Sequence, residues 1–308
     1  MSRRRKGEPI HGWLNIDKPA GITSNDVVTR VRRATNAAKV GHGGTLDPMA
    51  TGVLPVALGE ATKTVTYAMD GTKTYRFTVC WGAATATDDA EGEVTGTAAG
   101  RPARADIEAA LAGFVSDIEQ VPPAYSAIKV NGRRAYELAR NDEAVALQPR
   151  RVRVDGLRLL DCPDADTAEF EMTSGKGVYV RALARDLALA LGTLGHVARL
   201  RRTQVAGFSE KNAISLDKLE SLGHIALASS ILLPIETVLD DIPALALTAQ
   251  EANRLRRGQG IPVLPVASRS PFKDIVQGDT VVAMAEGRLV ALAKIAGGEI
   301  RPVRVINL

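Results

Sequence analysis

The chain has 308 residues, 45% of them hydrophobic, and a formal charge of +4, an ordinary balance for a globular protein with room for one large domain and a small one. No apolar segment follows the basic start MSRRRKGEP, and no uninterrupted apolar run approaches the ~20 residues that cross a bilayer, so neither secretion nor membrane insertion is expected. Two cysteines, Cys80 and Cys162, without a CxxC pair give no support to a disulfide framework or a zinc site, and a reducing cytoplasm fits.

The positive charge is clustered: Arg3, Arg4, Arg5 and Lys6; Arg150, Arg151 and Arg153; Arg199, Arg201 and Arg202; Arg254, Arg256 and Arg257. Any one cluster reads as a solvated surface, but four together shift the balance toward a phosphate backbone. Residues 1–9 read as a flexible basic arm. After the turn DKPAG, Val27, Val28, Val31 and Ala34 recur at helical spacing, with Thr23 or Ser24 as the cap.

Residues 41–52, GHGGTLDPMATG, place His42 and Asp47 in a glycine-rich loop before an apolar stretch. Glycine tolerates positive φ and close backbone approach, and Pro48 stiffens the position after the carboxylate. Taken alone, an Asp-Pro here reads as a turn cap. No GK[ST] follows at P-loop spacing, and no second carboxylate of a glycosidase pair stands nearby.

Tyr75, Phe77, Val79 and Trp81 alternate with Thr74, Arg76, Thr78 and Cys80, the period of a half-buried strand, in which core packing alone explains Tyr75. TATDDAEG, residues 85–92, reads as an acidic loop, and Asp106 as the cap of a helix carrying Ile107, Leu111 and Phe114. Residues 121–151 combine a Pro pair, a basic turn and a short helix; they form either a substrate-gripping insertion or an ordinary crossover. Strands are expected near 151–160 and 168–173, followed by a helix through Leu183, Leu187 and Leu191 that Gly192 can end, so Tyr179 and Arg181 sit at a strand-to-helix junction. Past residue 243 come a short helix, a hairpin about Gly287 and a last strand IRPVRVIN. Helices and strands mix without regular βαβ alternation, which favours an α+β fold with an antiparallel or mixed sheet.

Seven segments in order are more specific than any of them alone: WLNIDKPAGITS, GHGGTLDPMATG, KTYRF, TATDDAEG, PPAYSAIKVNGRRAYELAR, GVYVRAL and LRRTQVAGF. Together they cover most of residues 13–208 and resemble the TruB family of tRNA pseudouridine synthases, which convert uridine 55 in the T loop of tRNA. The resemblance implies a pseudouridine synthase fold over residues 10–243, with a central mixed, mainly antiparallel sheet flanked by helices and loops and an RNA-gripping insertion about 121–151. It also implies a small β-rich PUA-like RNA-binding domain over 244–308.

By the same resemblance Asp47 matches the essential aspartate, and Tyr75, Tyr179 and Arg181 match further catalytic positions. Lys18 and Pro19 match the turn behind the catalytic loop, and His42 the histidine that displaces the target base. Lys129, Arg133, Arg134 and Tyr136 of the insertion, together with Arg202, are expected to contact RNA; Tyr125, Arg140, Arg199 and Arg201 stand among them. The partner implied is a tRNA T-loop stem-loop, with no obligatory protein partner, no cofactor and no metal, acting as a cytoplasmic monomer. An aspartate of ordinary pKa, ~3.9, is ionised at neutral pH and serves equally as nucleophile at C1′ or as base at the 2′ position. The rival readings are an RNA-binding module that grips the tRNA elbow without catalysis and the related catalytic subunit of a guide-RNA particle.

Overall fold

The computed structural model describes residues 7–126, 128–130, 132–141, 143, 147–222, 231–270 and 276–308. Residues 1–6 of the expected basic arm lie outside the described set, while Glu8 is tied to the backbone of Asn36 and Ala38 by hydrogen bonds of 2.7 and 2.9 Å.

In chain order the first half holds β1 (Gly12–Lys18), α1 (Ser24–Thr35), β2 (Val40–His42), β3 (Thr51–Leu58), α2 (Val65–Asp70) and β4 (Lys73–Trp81). A small pair, β5 (Ala83–Thr85) and β6 (Val94–Thr97), and α3 (Arg104–Ala110) lead to β7 (Ser116–Gln120). Then come β8 (Lys129–Val130), β9 (Arg133–Arg134), α4 (Ala135–Arg140), β10 (Arg150–Asp161), β11 (Thr167–Ser174), α5 (Val180–Ala190) and β12 (Gly195–Val205). The larger body closes with β13 (Phe208–Ser209), β14 (Ile214–Ser215) and α6 (Leu216–Leu222).

These strands make a ten-stranded sheet whose main path runs β14-β1-β3-β12-β4-β11-β10-β7, with β13 on β12 and β2 on β3. Only β1–β14 and β3–β12 are parallel, so the sheet is mixed and mainly antiparallel, as the sequence suggested. The cap of α1 is Thr23, whose side chain receives the Asp26 amide while Asp26 returns a carboxylate bond, a reciprocal capping box. Asp106, expected as a helix cap, lies instead inside the first turn of α3, whose cap position is Ala103 without a side-chain bond. The helical pattern there is split, because Leu111–Phe114 continues as a tighter 3₁₀ turn. β7 pairs directly with β10, so the β8–β9 hairpin and α4 leave the sheet and return between two neighbouring strands.

Period-two alternation determines which core each side chain joins. Leu14 and Ile16 of β1, with Leu54, Val56 and Leu58 of β3, face the core under α1 and α5. Trp13, Val53 and Ala57 from the same strands face the other way. That second face meets a five-stranded sheet, order β15-β17-β18-β19-β16, built from β15 (Ala244–Ala246), β16 (Ile261–Pro262), β17 (Thr280–Ala285), β18 (Arg288–Ala296) and β19 (Glu299–Val305) with α7 (Ala249–Arg256) and α8 (Val263–Ala267). Val282, Leu289, Leu292 and Ile306 of this β-rich region share the cluster of Trp13. Lys63 donates to the Val305 carbonyl at 2.7 Å and Asn307 N–H to Glu60 at 2.8 Å, closing the edge of the junction. No helix among the described residues is long and apolar enough to cross a membrane.

Trp13 is fully buried, its indole N–H donates to Ile235 O at 3.3 Å and its ring centroid lies 5.4 Å from that of Phe208. Trp13→Ala is therefore expected to cost about 3–5 kcal/mol, read as a clear fall in the denaturation midpoint; a change below about 1 kcal/mol contradicts the packing described.

Candidate active site

The GHGGTLDPMATG loop is held from below by two buried cations. The Lys18 ammonium is fully buried and donates to three carbonyls, Pro19 O at 2.8 Å, Pro48 O at 3.1 Å and Ala50 O at 2.7 Å, which uses all three of its protons. Burial pushes its pKa down to about 8, against the pull of Asp47. Arg202, 1% exposed, donates to Val53 O at 2.9 Å, Thr45 O at 3.3 Å and Gly44 O at 3.0 Å. Ser24 adds a reciprocal pair, accepting from Leu46 N at 2.9 Å and donating to Leu46 O at 3.1 Å. Gly21 N–H reaches Pro48 O at 2.9 Å. Asp47 is thus flanked on both sides by residues whose backbone is fixed.

The Asp47 side chain, 32% exposed, meets the almost buried Arg181, whose Nε lies 2.9 Å from Oδ2. That Nε makes no aligned hydrogen bond, so the contact is an ion pair without the added strength of a directed N–H. The rest of the Arg181 fork is committed: Nη1 donates to Thr87 O at 2.8 Å and stands 3.5 Å from Asp89, and Nη2 donates to Tyr125 O at 3.0 Å. Asp89 is itself buried and bonded to Glu91 N–H at 3.1 Å and to the Thr87 hydroxyl. A second pair one helical turn on repeats the pattern, Arg185 on Asp88 at 2.9 Å. A buried guanidinium is costly unless charge and donors are met; here Asp47 and Asp89 supply the charge and the Thr87 and Tyr125 carbonyls accept from the Nη atoms.

Asp47, Tyr75, Tyr179 and Arg181 line one cavity of about 280 Å³, together with Lys73, Ser126, Leu200 and Arg202. Tyr75 enters from β4, where it shares the core face with Phe77, Val79 and Trp81 and pairs in register with Arg202. Tyr179 is the residue before α5. Its backbone N–H and C=O are both gripped by the Gln120 amide, at 2.9 and 3.1 Å, and the Arg150 guanidinium stands 5.3 Å from its ring centroid.

The other sequence-predicted residues differ in placement. Lys18, expected in the turn behind the loop, is buried there with its three protons on backbone carbonyls, and Arg202, expected to touch RNA, is buried and binds the loop's carbonyls while also lining the cavity. Pro19 is exposed in the adjoining turn. His42 ends β2 and accepts the Gly44 N–H on Nδ1 at 3.4 Å; it does not line the cavity. Burial, then Arg202, holds its pKa below the ordinary value, so the ring is neutral at pH 7. Lys129 is exposed on β8. Arg133 is bound through both Nη atoms to Glu143 at 2.8 Å, and Tyr136 is half-buried with Arg140 5.8 Å from its ring. The Arg134 side chain lies outside the described residues. Ion pairing also neutralises much of the clustered charge: Arg151 with Asp117, Arg153 with Asp155, Arg201 with Asp17 and Glu210. Among the described residues no three His, Cys, Asp or Glu side chains group as metal ligands.

Asp89, Gln120 and Lys73 were not singled out from sequence, and Ser24 was read only as a candidate helix cap. Two signals were available: Lys73 stands two residues before Tyr75 on a period-two strand, and Arg181 and Arg185 stand one helical turn apart opposite consecutive aspartates.

Comparison with known proteins places the chain in context. Residues 32–180 match the model described as TruB family pseudouridylate synthase (N terminal domain), and residues 181–240 match the tRNA pseudouridylate synthase B C-terminal domain. The protein called tRNA pseudouridine synthase B of Rhodospirillum rubrum is 59% identical over 308 residues, and that of Caulobacter vibrioides 54% over 309, each comparison covering 100% of both chains. A solved chain from a Cbf5-Nop10-Gar1 complex superposes with a TM-score of 0.77 at 25% identity, covering 100% of this chain and 91% of that one.

Two outcomes follow from this geometry. Gly52 has φ +102°, and a Cβ there would lie 2.2 Å from Arg202 O, so Gly52→Ala should cost at least about 2 kcal/mol in a thermal or denaturant unfolding measurement. The His42 ring should titrate below 6.5 by NMR; because its folded-state pKa is depressed, stability declines as pH falls below the unfolded value and is complete above it.

Proposed function

The chain belongs to the TruB family of pseudouridylate synthases, and from that premise we propose that it converts uridine 55 in the T loop of tRNA to pseudouridine, with Asp47 as the catalytic carboxylate. The observation that carries this reading is the convergence of Asp47, Arg181, Tyr75 and Tyr179 on one cavity. Residues 10–243 form the catalytic domain, and residues 244–308 a PUA-like RNA-binding domain. The enzyme works alone, as a monomer in the cytoplasm.

A uridine within a folded loop has to leave its stack, at a cost of about a few kcal/mol that the pocket must offset. Tyr75 supplies an aromatic face for the extruded uracil. Arg181 holds the Asp47 carboxylate beside the sugar. His42, neutral and outside the cavity, fills the space the base has left. Lys129, Arg133, Arg134 and Tyr136 grip the stem-loop from the 121–151 insertion, with phosphate contacts that fix orientation rather than read sequence.

The C1′–N1 bond breaks with its electron pair on the uracil. Asp47 either takes C1′ into an ester or removes the 2′ proton and later returns it. The uracil turns, the pair forms the C1′–C5 bond, the C5 proton departs and N1 gains one, so atoms and electrons balance without an external co-reactant. Tyr179, which lines the same cavity, supplies a phenol that assists loss of the C5 proton.

Asp47→Asn is expected to reduce pseudouridine formation on a T-loop stem-loop by about 10²–10⁴-fold or more while RNA affinity stays close to wild type; retained turnover removes Asp47 from the role. Arg181→Lys keeps the charge and loses the guanidinium fork, so the rate should fall by about 10²-fold with little change in binding, as measured in single-turnover and filter-binding assays.

A further inference from the structure

Lys73 opens β4 and points to the same side of the strand as Tyr75, two residues on. It is 7% exposed, and its ammonium donates to Met69 O at 2.7 Å and to Gly71 O at the end of α2. Two of its three N–H bonds are therefore committed, and Lys73 lines the cavity that holds Asp47. Lys18 differs: its three protons meet three carbonyls and it does not line the cavity. A buried ammonium with one donor left beside a reacting centre is suited to a group that becomes negative during the reaction, because such a donor acts most strongly where water is excluded.

Resting on the isomerase reading above, we propose that Lys73 is a catalytic residue whose free N–H receives a carbonyl oxygen of the departing uracil and stabilises the negative charge that the ring acquires when the C1′–N1 bond breaks. The electron pair of that bond delocalises over the uracil oxygens, Lys73 donates a hydrogen bond without transferring its proton, and the charge disappears when C5 closes on C1′. Intact uridine is neutral, so the contact is worth more in the transition state than in the bound substrate and acts on the rate rather than on affinity.

The surroundings keep this ammonium easy to discharge. Burial first and Arg202 second lower its pKa to about 8, while Asp70 acts the other way and Lys176 adds to the fall. Asp47, Tyr75, Tyr179, Arg181 and Arg202 are the other titratable groups on the cavity wall; Lys18, with a pKa also near 8, lies beneath the loop.

The test is a single-turnover rate on a T-loop stem-loop across pH 6.5–9.5 for wild type, Lys73→Met and Lys73→Arg, with RNA affinity and unfolding midpoint measured for each. Wild type should lose rate as pH rises through about 8. Lys73→Met should be about 10²–10³-fold slower at pH 7 with affinity within about threefold, and Lys73→Arg, which stays charged, should retain more activity and lose the alkaline fall. A purely structural lysine would lower the unfolding midpoint of Lys73→Met and leave the pH profile of Lys73→Arg unchanged. The proposal is overturned by a Lys73→Met rate within about threefold of wild type, or by an alkaline fall that persists in Lys73→Arg, which would assign it to Lys18. An inactive wild type would instead refute the isomerase reading itself.

Discussion

Three buried cations around one loop organise this molecule. Lys18, Arg181 and Arg202 have almost no exposed surface, and a cation out of water is costly unless every donor finds an acceptor. The acceptors are the carbonyls of Pro19, Gly44, Thr45, Pro48, Ala50 and Val53 on one side and of Thr87 and Tyr125 on the other, with Asp47 and Asp89 supplying charge. The loop carrying Asp47 therefore has little freedom to move without stranding a buried charge. Close backbone approach adds a further constraint at Gly52, where a Cβ would lie 2.2 Å from the Arg202 carbonyl oxygen.

The same cations connect distant parts of the chain to the site. Arg181 reaches Tyr125 at the root of the 121–151 excursion and Arg185 reaches Val121, so the segment that leaves the sheet is fastened to the helix that orients Asp47. Gln120, the last residue of β7, holds the backbone of Tyr179. A nucleic acid pulling on the excursion would thus act on the same hydrogen bonds that place Arg181 and Tyr179. At the other end, the alternate faces of β1 and β3 divide one pair of strands between the main hydrophobic core and the junction with the C-terminal sheet, and this fixes the two bodies relative to the site.

Much of this was legible in the chain. The period of two in KTYRFTVCW and the period of 3.6 after Thr23 located β4 and α1, and the ordered motifs brought Asp47, Tyr75, Tyr179 and Arg181 together as one cavity. The failures have a common cause. Arg202 read as a surface cation because sequence records charge and not burial, and most basic residues are indeed exposed. Asp89 was hidden among neighbouring acids, since only the fold distinguishes the aspartate facing Arg181 from the one facing Arg185. The basic clusters overstated the free positive surface because their partners, Asp17, Asp117 and Glu210, are brought close by strand pairing rather than by sequence.

In the proposed reaction this scaffold positions Asp47 to isomerise a tRNA uridine without another protein or a cofactor. Its most direct measurement is incubation of the purified protein with unmodified tRNA and no other addition, followed by position-by-position mapping of pseudouridine. The account predicts one modified site, uridine 55 in the T loop. No product there, or product only when a guide RNA or partner protein is supplied, would contradict it.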